Sequence, residues 1–136
     1  HKVVYVANEL DSTVTACRWD ADLATLCPFQ NLPTLPASFK EENAVADIHL
    51  TPDAKFLYVS NRGADSLACY AVQADGSLKS AGFFACEGNW PRNFGIDPSG
   101  KWLVCANQYS NTLTVFKIDQ KVSWRLITCC LPMGLL

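Results

Sequence analysis

Three stretches of the chain repeat one another, and their spacing limits what it can fold into. Val4-Tyr5-Val6-Ala7-Asn8-Glu9, Leu57-Tyr58-Val59-Ser60-Asn61-Arg62 and Leu103-Val104-Cys105-Ala106-Asn107-Gln108 each read as a strand closed by Asn. Each then leads through a polar turn into a second strand, at residues 13–17, 66–70 and 112–116. Asn8 and Asn61 are 53 residues apart, and Asn61 and Asn107 are 46 apart. A period of this size made only of strands and turns predicts propeller blades. A helical solenoid would show apolar residues at helical intervals, and none of these segments does. One such unit cannot bury its apolar face alone, which is why the scaffold repeats.

The middle unit shows the full order. Residues 46–50 alternate and read as the innermost strand, 51–55 as a turn, 56–60 as the second strand, 66–72 as the third and 78–85 as the fourth. Asp75-Gly76 supplies a hairpin signal between the last two. Pro52 and Pro98 are again 46 apart, so the unit opening at Arg92 keeps the register. The longer first spacing is placed in residues 31–43, which hold two prolines and a charge run and read as an enlarged inter-blade loop. The expected units are roughly 1–45, 46–91 and 92–130. After Asp119 the glycine of the outer hairpin is missing, and residues 120–136 read as an aberrant tail or a poorly formed outer strand.

A chain of 136 residues normally makes one domain. At about 45 residues per blade it holds about three blades, whereas closed propellers usually need at least four. Three blades leave two apolar flanks open. The expected fold is therefore all-β, about three four-stranded antiparallel blades of a larger propeller, with the missing blades upstream. A net charge of −2 offers no attraction to nucleic acid or to an anionic membrane, and no apolar run spans a bilayer. His1 leads at once into a strand, so no secretory leader is expected. The seven cysteines are odd in number and at no metal-ligand spacing, which suits small buried side chains in a reducing compartment. A cytoplasmic protein without metal or cofactor is expected.

Strand direction alternates within an antiparallel blade, so the start of the first strand and the end of the second lie on one face. Glu9, Arg62 and Gln108 end second strands, and Asp47 and Arg92 begin first strands. Connectivity should gather these five at one rim. The residue after the fixed Asn changes from Glu to Arg to Gln, which marks a site rather than scaffold. A carboxylate can act as general base, and a guanidinium can hold an anion bidentately or offset charge on a carbonyl oxygen. Taken singly, each is an ordinary solvated turn residue, and salt bridges between blades compete with the functional reading. His49 follows Asp47 on the same strand face, where a histidine is more often a packed core residue. Asn8, Asn61 and Asn107 are expected to cap tight turns through side-chain to backbone bonds, and Trp90 and Pro91 to pack at a blade junction.

Residues 46–53 and 56–63, with their Ser-Asn-Arg-Gly segment, resemble the lactonase family of seven-bladed propellers. That family joins the bacterial-type 6-phosphogluconolactonases with the fungal 3-carboxy-cis,cis-muconate lactonizing enzymes. Residues 90–94, 96–100, 106–108 and 5–10 are similar to the same family in the same order. The resemblance implies that Glu9 holds the family's catalytic carboxylate position and Arg62 that of an active-site arginine. Arg92 shares the register of another family arginine that belongs to an earlier blade. With Asp47, His49 and Gln108 it forms the expected substrate-binding set. Two departures stand out: the family commonly has Glu where Asp47 stands, and the blades bearing the family's His and upstream Arg are absent. The leading expectation is hydrolysis of a phosphorylated sugar lactone, a small anionic partner, with this segment alone inactive. The alternatives are a muconate-type lactonizing enzyme and a non-catalytic binding propeller.

Overall fold

The computed structural model describes residues 2–118 with their side chains and residues 124–132 by their backbone. Eleven strands and no helix occur among the described residues: β1 (Lys2–Asn8), β2 (Thr13–Asp20), β3 (Thr25–Pro33), β4 (Ala44–Leu50), β5 (Phe56–Arg62), β6 (Ser66–Val72), β7 (Leu78–Ala85), β8 (Pro91–Ile96), β9 (Trp102–Asn107), β10 (Thr112–Ile118) and β11 (Trp124–Pro132). They form three sheets, ordered β1-β2-β3, β4-β5-β6-β7 and β8-β9-β10-β11. Every pairing is antiparallel.

The middle sheet is covered on both faces, which explains why β5 and β6 read as nearly continuous apolar runs. Leu57, Val59, Ala68 and Tyr70 pack with Val14, Val45 and Leu78 in the cluster toward the first sheet. Tyr58, Leu67 and Cys69 alternate to the other face and meet Phe94, Leu103, Cys105 and Phe116. Full burial of a large apolar side chain contributes about 1.5–3 kcal/mol, so these two layers dominate the stability. Polar pins add direction. Gln30 both donates to the Leu78 carbonyl (2.9 Å) and accepts from the Leu78 N–H (2.7 Å), and the Tyr5 hydroxyl donates to the Gly76 carbonyl.

The repeat extends to the backbone. The turns between second and third strands end in left-handed residues in all three units: Ser12 (φ 51°), Asp65 (47°) and Asn111 (56°). Two details differ from the sequence expectation. The enlarged loop starts at Thr34 instead of Asn31, because β3 runs to Pro33; prolines are tolerated there because β3 is an outer edge strand. The first sheet has three strands, since β1 is the counterpart of β5 and β9, and no innermost strand precedes it among the described residues. In the tail, for which the sequence left an outer strand open, Trp124–Pro132 is a strand paired to β10 with two register shifts. Residues 120–123 and 133–136 of that tail lie outside the described residues. On the flanks, Val4 and Val6 of β1 and Trp102 and Val104 of β9 are exposed on the sides turned away from the middle sheet. No helix among the described residues is long and apolar enough to cross a membrane.

Candidate active site

Two strand ends and two bulges build the site. Ala44 pairs with Arg62 and Val45 with Asn61, after which the register slips so that Ile48 faces Val59. β8 slips at the equivalent step, between Pro91 and Asn93, which makes Arg92 the extra residue. A bulge bends its strand and re-aims a side chain. The result is a cleft of ≈ 290 Å³ lined by Ala7, Glu9, Val45, Ala46, Arg62 and Arg92.

One buried residue sets the geometry of the charged pair. The Val45 N–H donates to the Glu9 carbonyl (3.1 Å), while the Val45 carbonyl accepts from Arg62 Nη2 (2.9 Å). The same Nη2 donates to Glu9 Oε1 at 2.5 Å. The Arg62 side chain is only 11% exposed, whereas that of Glu9 is 60% exposed. Arg62 Nε is buried and has no hydrogen-bond partner among the described residues. An ion pair with so exposed a partner contributes about 0–1 kcal/mol, and an unsatisfied buried donor costs about 1–3 kcal/mol. The bond from Arg62 to the Val45 carbonyl roughly offsets that cost, so the arrangement adds little net stability.

Gln108 lies next door. Its Oε1 accepts a long bond from Arg92 Nη1 (3.4 Å), and with Arg92, Asn93, Ala106 and Asn111 it lines a second cleft of ≈ 510 Å³. Asp47 and His49 line neither cleft. β4 begins three residues before Asp47, so Asp47 falls within the bulge and turns toward β8. Its Oδ2 accepts from Asn93 Nδ2 (2.7 Å) and the Phe94 N–H (3.1 Å), and lies 3.0 Å from His49 Nε2. The His49 ring meets Phe94 edge-on at 4.9 Å. These two residues tie the middle sheet to the third.

The three repeated asparagines differ from the turn caps expected of them. Asn8 donates to Thr13 and Thr15, Asn107 to Thr112 and Thr114, and Asn61 to Ser66 and to the Thr34 carbonyl. Each Asn pairs directly with the first residue of the next strand, which puts that residue's hydroxyl within reach of its amide. Sequence reasoning missed two groups around Arg62. The Val45 carbonyl is backbone and carries no residue signal. Trp90, expected only as packing, lies with its ring 5.8 Å from Arg62 Cζ; its place just before Pro91 and Arg92 was the available clue.

The family model described as "Lactonase, 7-bladed beta-propeller" matches residues 1–124. A 6-phosphogluconolactonase of Pectobacterium carotovorum is 39% identical over 119 residues, covering 88% of this chain and 36% of that protein. A solved protein from Lactobacillus plantarum superposes with a TM-score of 0.89 at 33% identity, over 93% of this chain and 38% of the other. The periplasmic gluconolactonase of Pseudomonas aeruginosa gives a TM-score of 0.86 at 32% identity, over 92% and 35% respectively. The chain thus spans little more than a third of the length of these relatives. The period of its repeats, its strand order and these likenesses agree: the chain belongs to the lactonase family of seven-bladed β-propellers.

Proposed function

We propose that this segment supplies part of a lactonase site that hydrolyses a phosphorylated sugar lactone, with Glu9 as general base and Arg62 as anion holder. The observation carrying this reading is the Glu9–Arg62 pair, drawn from neighbouring sheets into one cleft beside Arg92. The name of the Pectobacterium relative supports the phosphorylated substrate. In the resting site Arg62 engages Glu9. An anionic group arriving on Arg62 competes for that guanidinium and frees the carboxylate. Glu9 then takes a proton from water as the water oxygen attacks the lactone carbonyl carbon. The ring C–O bond breaks, and the leaving oxygen takes a proton to give the open-chain acid. Arg92 and Gln108 serve as further anion and hydroxyl contacts, while Asp47 and His49 keep the inner strands at the spacing the cleft needs. The remaining site groups belong to blades outside this chain, so the 136 residues alone are inactive.

The test is made in the seven-bladed protein that carries this segment. Glu9→Gln should lower kcat on 6-phosphogluconolactone by about 10²–10⁴-fold, the usual worth of a general base, and Arg62→Ala should chiefly raise KM. Turnover unchanged by both variants refutes the assignment. A second reading, hydrolysis of an unphosphorylated aldonolactone, is favoured by the likeness to the periplasmic gluconolactonase. Equal kcat/KM on gluconolactone and its 6-phosphate would select it.

A further inference from the structure

Trp90 sits in a conformation that a bulky residue adopts only under constraint. Its φ is +65°, in the left-handed region, and it precedes a proline, which itself restricts the backbone toward extended forms. Such geometry persists only where the surroundings over-determine it, and it clusters at functional sites. Here the surroundings are specific. The Trp90 N–H donates to Asp65 Oδ1 (2.8 Å), and the Trp90 carbonyl accepts from the Gln108 N–H (2.9 Å). The preceding Asn89 donates to Asp65 Oδ2 and accepts from the Tyr109 N–H (3.1 Å). The Trp90 ring stacks on Tyr109, with centroids 4.7 Å apart and planes 24° apart. Its indole face then meets the Arg62 guanidinium, whose Cζ is 5.8 Å from the ring centroid.

Three neighbours therefore bound the guanidinium: the Glu9 carboxylate, the Val45 carbonyl and the Trp90 ring. Glu9 is the one that must let go when an anion binds. We propose that Trp90 is a positioning residue: its indole, braced by Tyr109 and Asp65, holds Arg62 in the cleft by a cation–π contact when an anionic ligand displaces Glu9. This inference rests on the reading of Arg62 as anion holder. It makes the junction between the second and third sheets part of the specificity machinery, because a guanidinium that followed Glu9 outward would leave the anion unheld.

The test separates ring electrostatics from packing. Phenylalanine and pentafluorophenylalanine at position 90 have nearly the same shape, but the fluorinated ring reverses the charge of the face. In the seven-bladed protein, KM for 6-phosphogluconolactone should rise from Trp to Phe to pentafluorophenylalanine, by about 3–30-fold across the series, with kcat changing less. Tyr109→Ala, at a residue that is 64% exposed, is the second arm should the ring variants fold poorly, and it should raise KM in the same sense. Equal KM for the two ring variants and for Tyr109→Ala, alongside an Arg62→Ala variant that has lost anion binding, overturns the role of Trp90 and leaves that of Arg62 standing. An Arg62→Ala variant with unchanged KM overturns both.

Discussion

Replacing Asn61 by Asp probes the strand end that carries Arg62. Asn61 is fully buried, as is its partner Thr34. Its Nδ2 donates to the Thr34 carbonyl (2.7 Å) and to Ser66 Oγ (3.3 Å), and its Oδ1 accepts from Thr34 Oγ1 (2.8 Å) and Asn43 Nδ2 (3.3 Å). Aspartate has the same shape, but its ionised form offers no donor to the Thr34 carbonyl and sets two oxygens in repulsion. Only the protonated acid restores the bond. Full burial raises a carboxyl pKa by up to about 3–5 units. Taking about 3 units above an unfolded value near 4, at about 1.4 kcal/mol per unit, gives a loss of about 4 kcal/mol. The sign follows from proton binding: the folded variant keeps a proton that the unfolded chain releases. Its stability therefore falls as pH rises from about 4 and levels off above about 7. The assay is urea unfolding of wild type and variant across that range, followed by tryptophan fluorescence. With a slope of about 1–3 kcal/mol per M, the gap between midpoints should open by about 2 M. Asn61→Ala should show a gap that does not change with pH. An Asn61→Asp gap equal at pH 4 and pH 8 refutes the donor argument.

Gly63, next to Arg62, has φ +112°, and an added Cβ would run into the Glu42 carbonyl. Gly63→Ala should destabilise by at least about 1–3 kcal/mol, seen as a lower melting temperature. Burial pushes the Cys69 thiol up to about 12, while Cys27 is exposed; a thiol reagent at pH 8 should modify Cys27 in the folded chain and Cys69 only after denaturation. Asp53, Asp75 and Asp97 lie below the ordinary carboxylate range, chiefly through hydroxyl bonds from Thr51, Ser77 and Ser99. Their contribution is present above about pH 4 and lost as pH falls. Asp97→Asn should therefore flatten the acid side of a pH–stability curve.

The architecture was legible because its signal is periodic. Asn8, Asn61 and Asn107 fall at one position of one unit, and β1, β5 and β9 follow from them. The outer strands were harder to read, for a physical reason. Cys17 faces Pro28 across a register shift in the first sheet, and Gly82 sits at a shift in β7. Edge strands tolerate such residues, so alternation fades there. At the site, chain direction was enough to gather Glu9, Arg62 and Arg92. It could not give the destination of Asp47, which depends on a bulge that turns the carboxylate toward the next sheet. The bond from Trp90 to Asp65 joins residues 25 apart through one left-handed turn, and neither residue type announces it.

The charged pair is mechanically uneven. Arg62 ends β5, whose five preceding residues from Leu57 to Asn61 are all buried, and its guanidinium is anchored to a β4 carbonyl. Glu9 projects from a turn into open solvent, held at its tip by that guanidinium. A force applied to the pair would meet a bolt on one side and a swinging latch on the other. Whatever enters the cleft will find the positive charge where it was left and the negative charge free to swing aside.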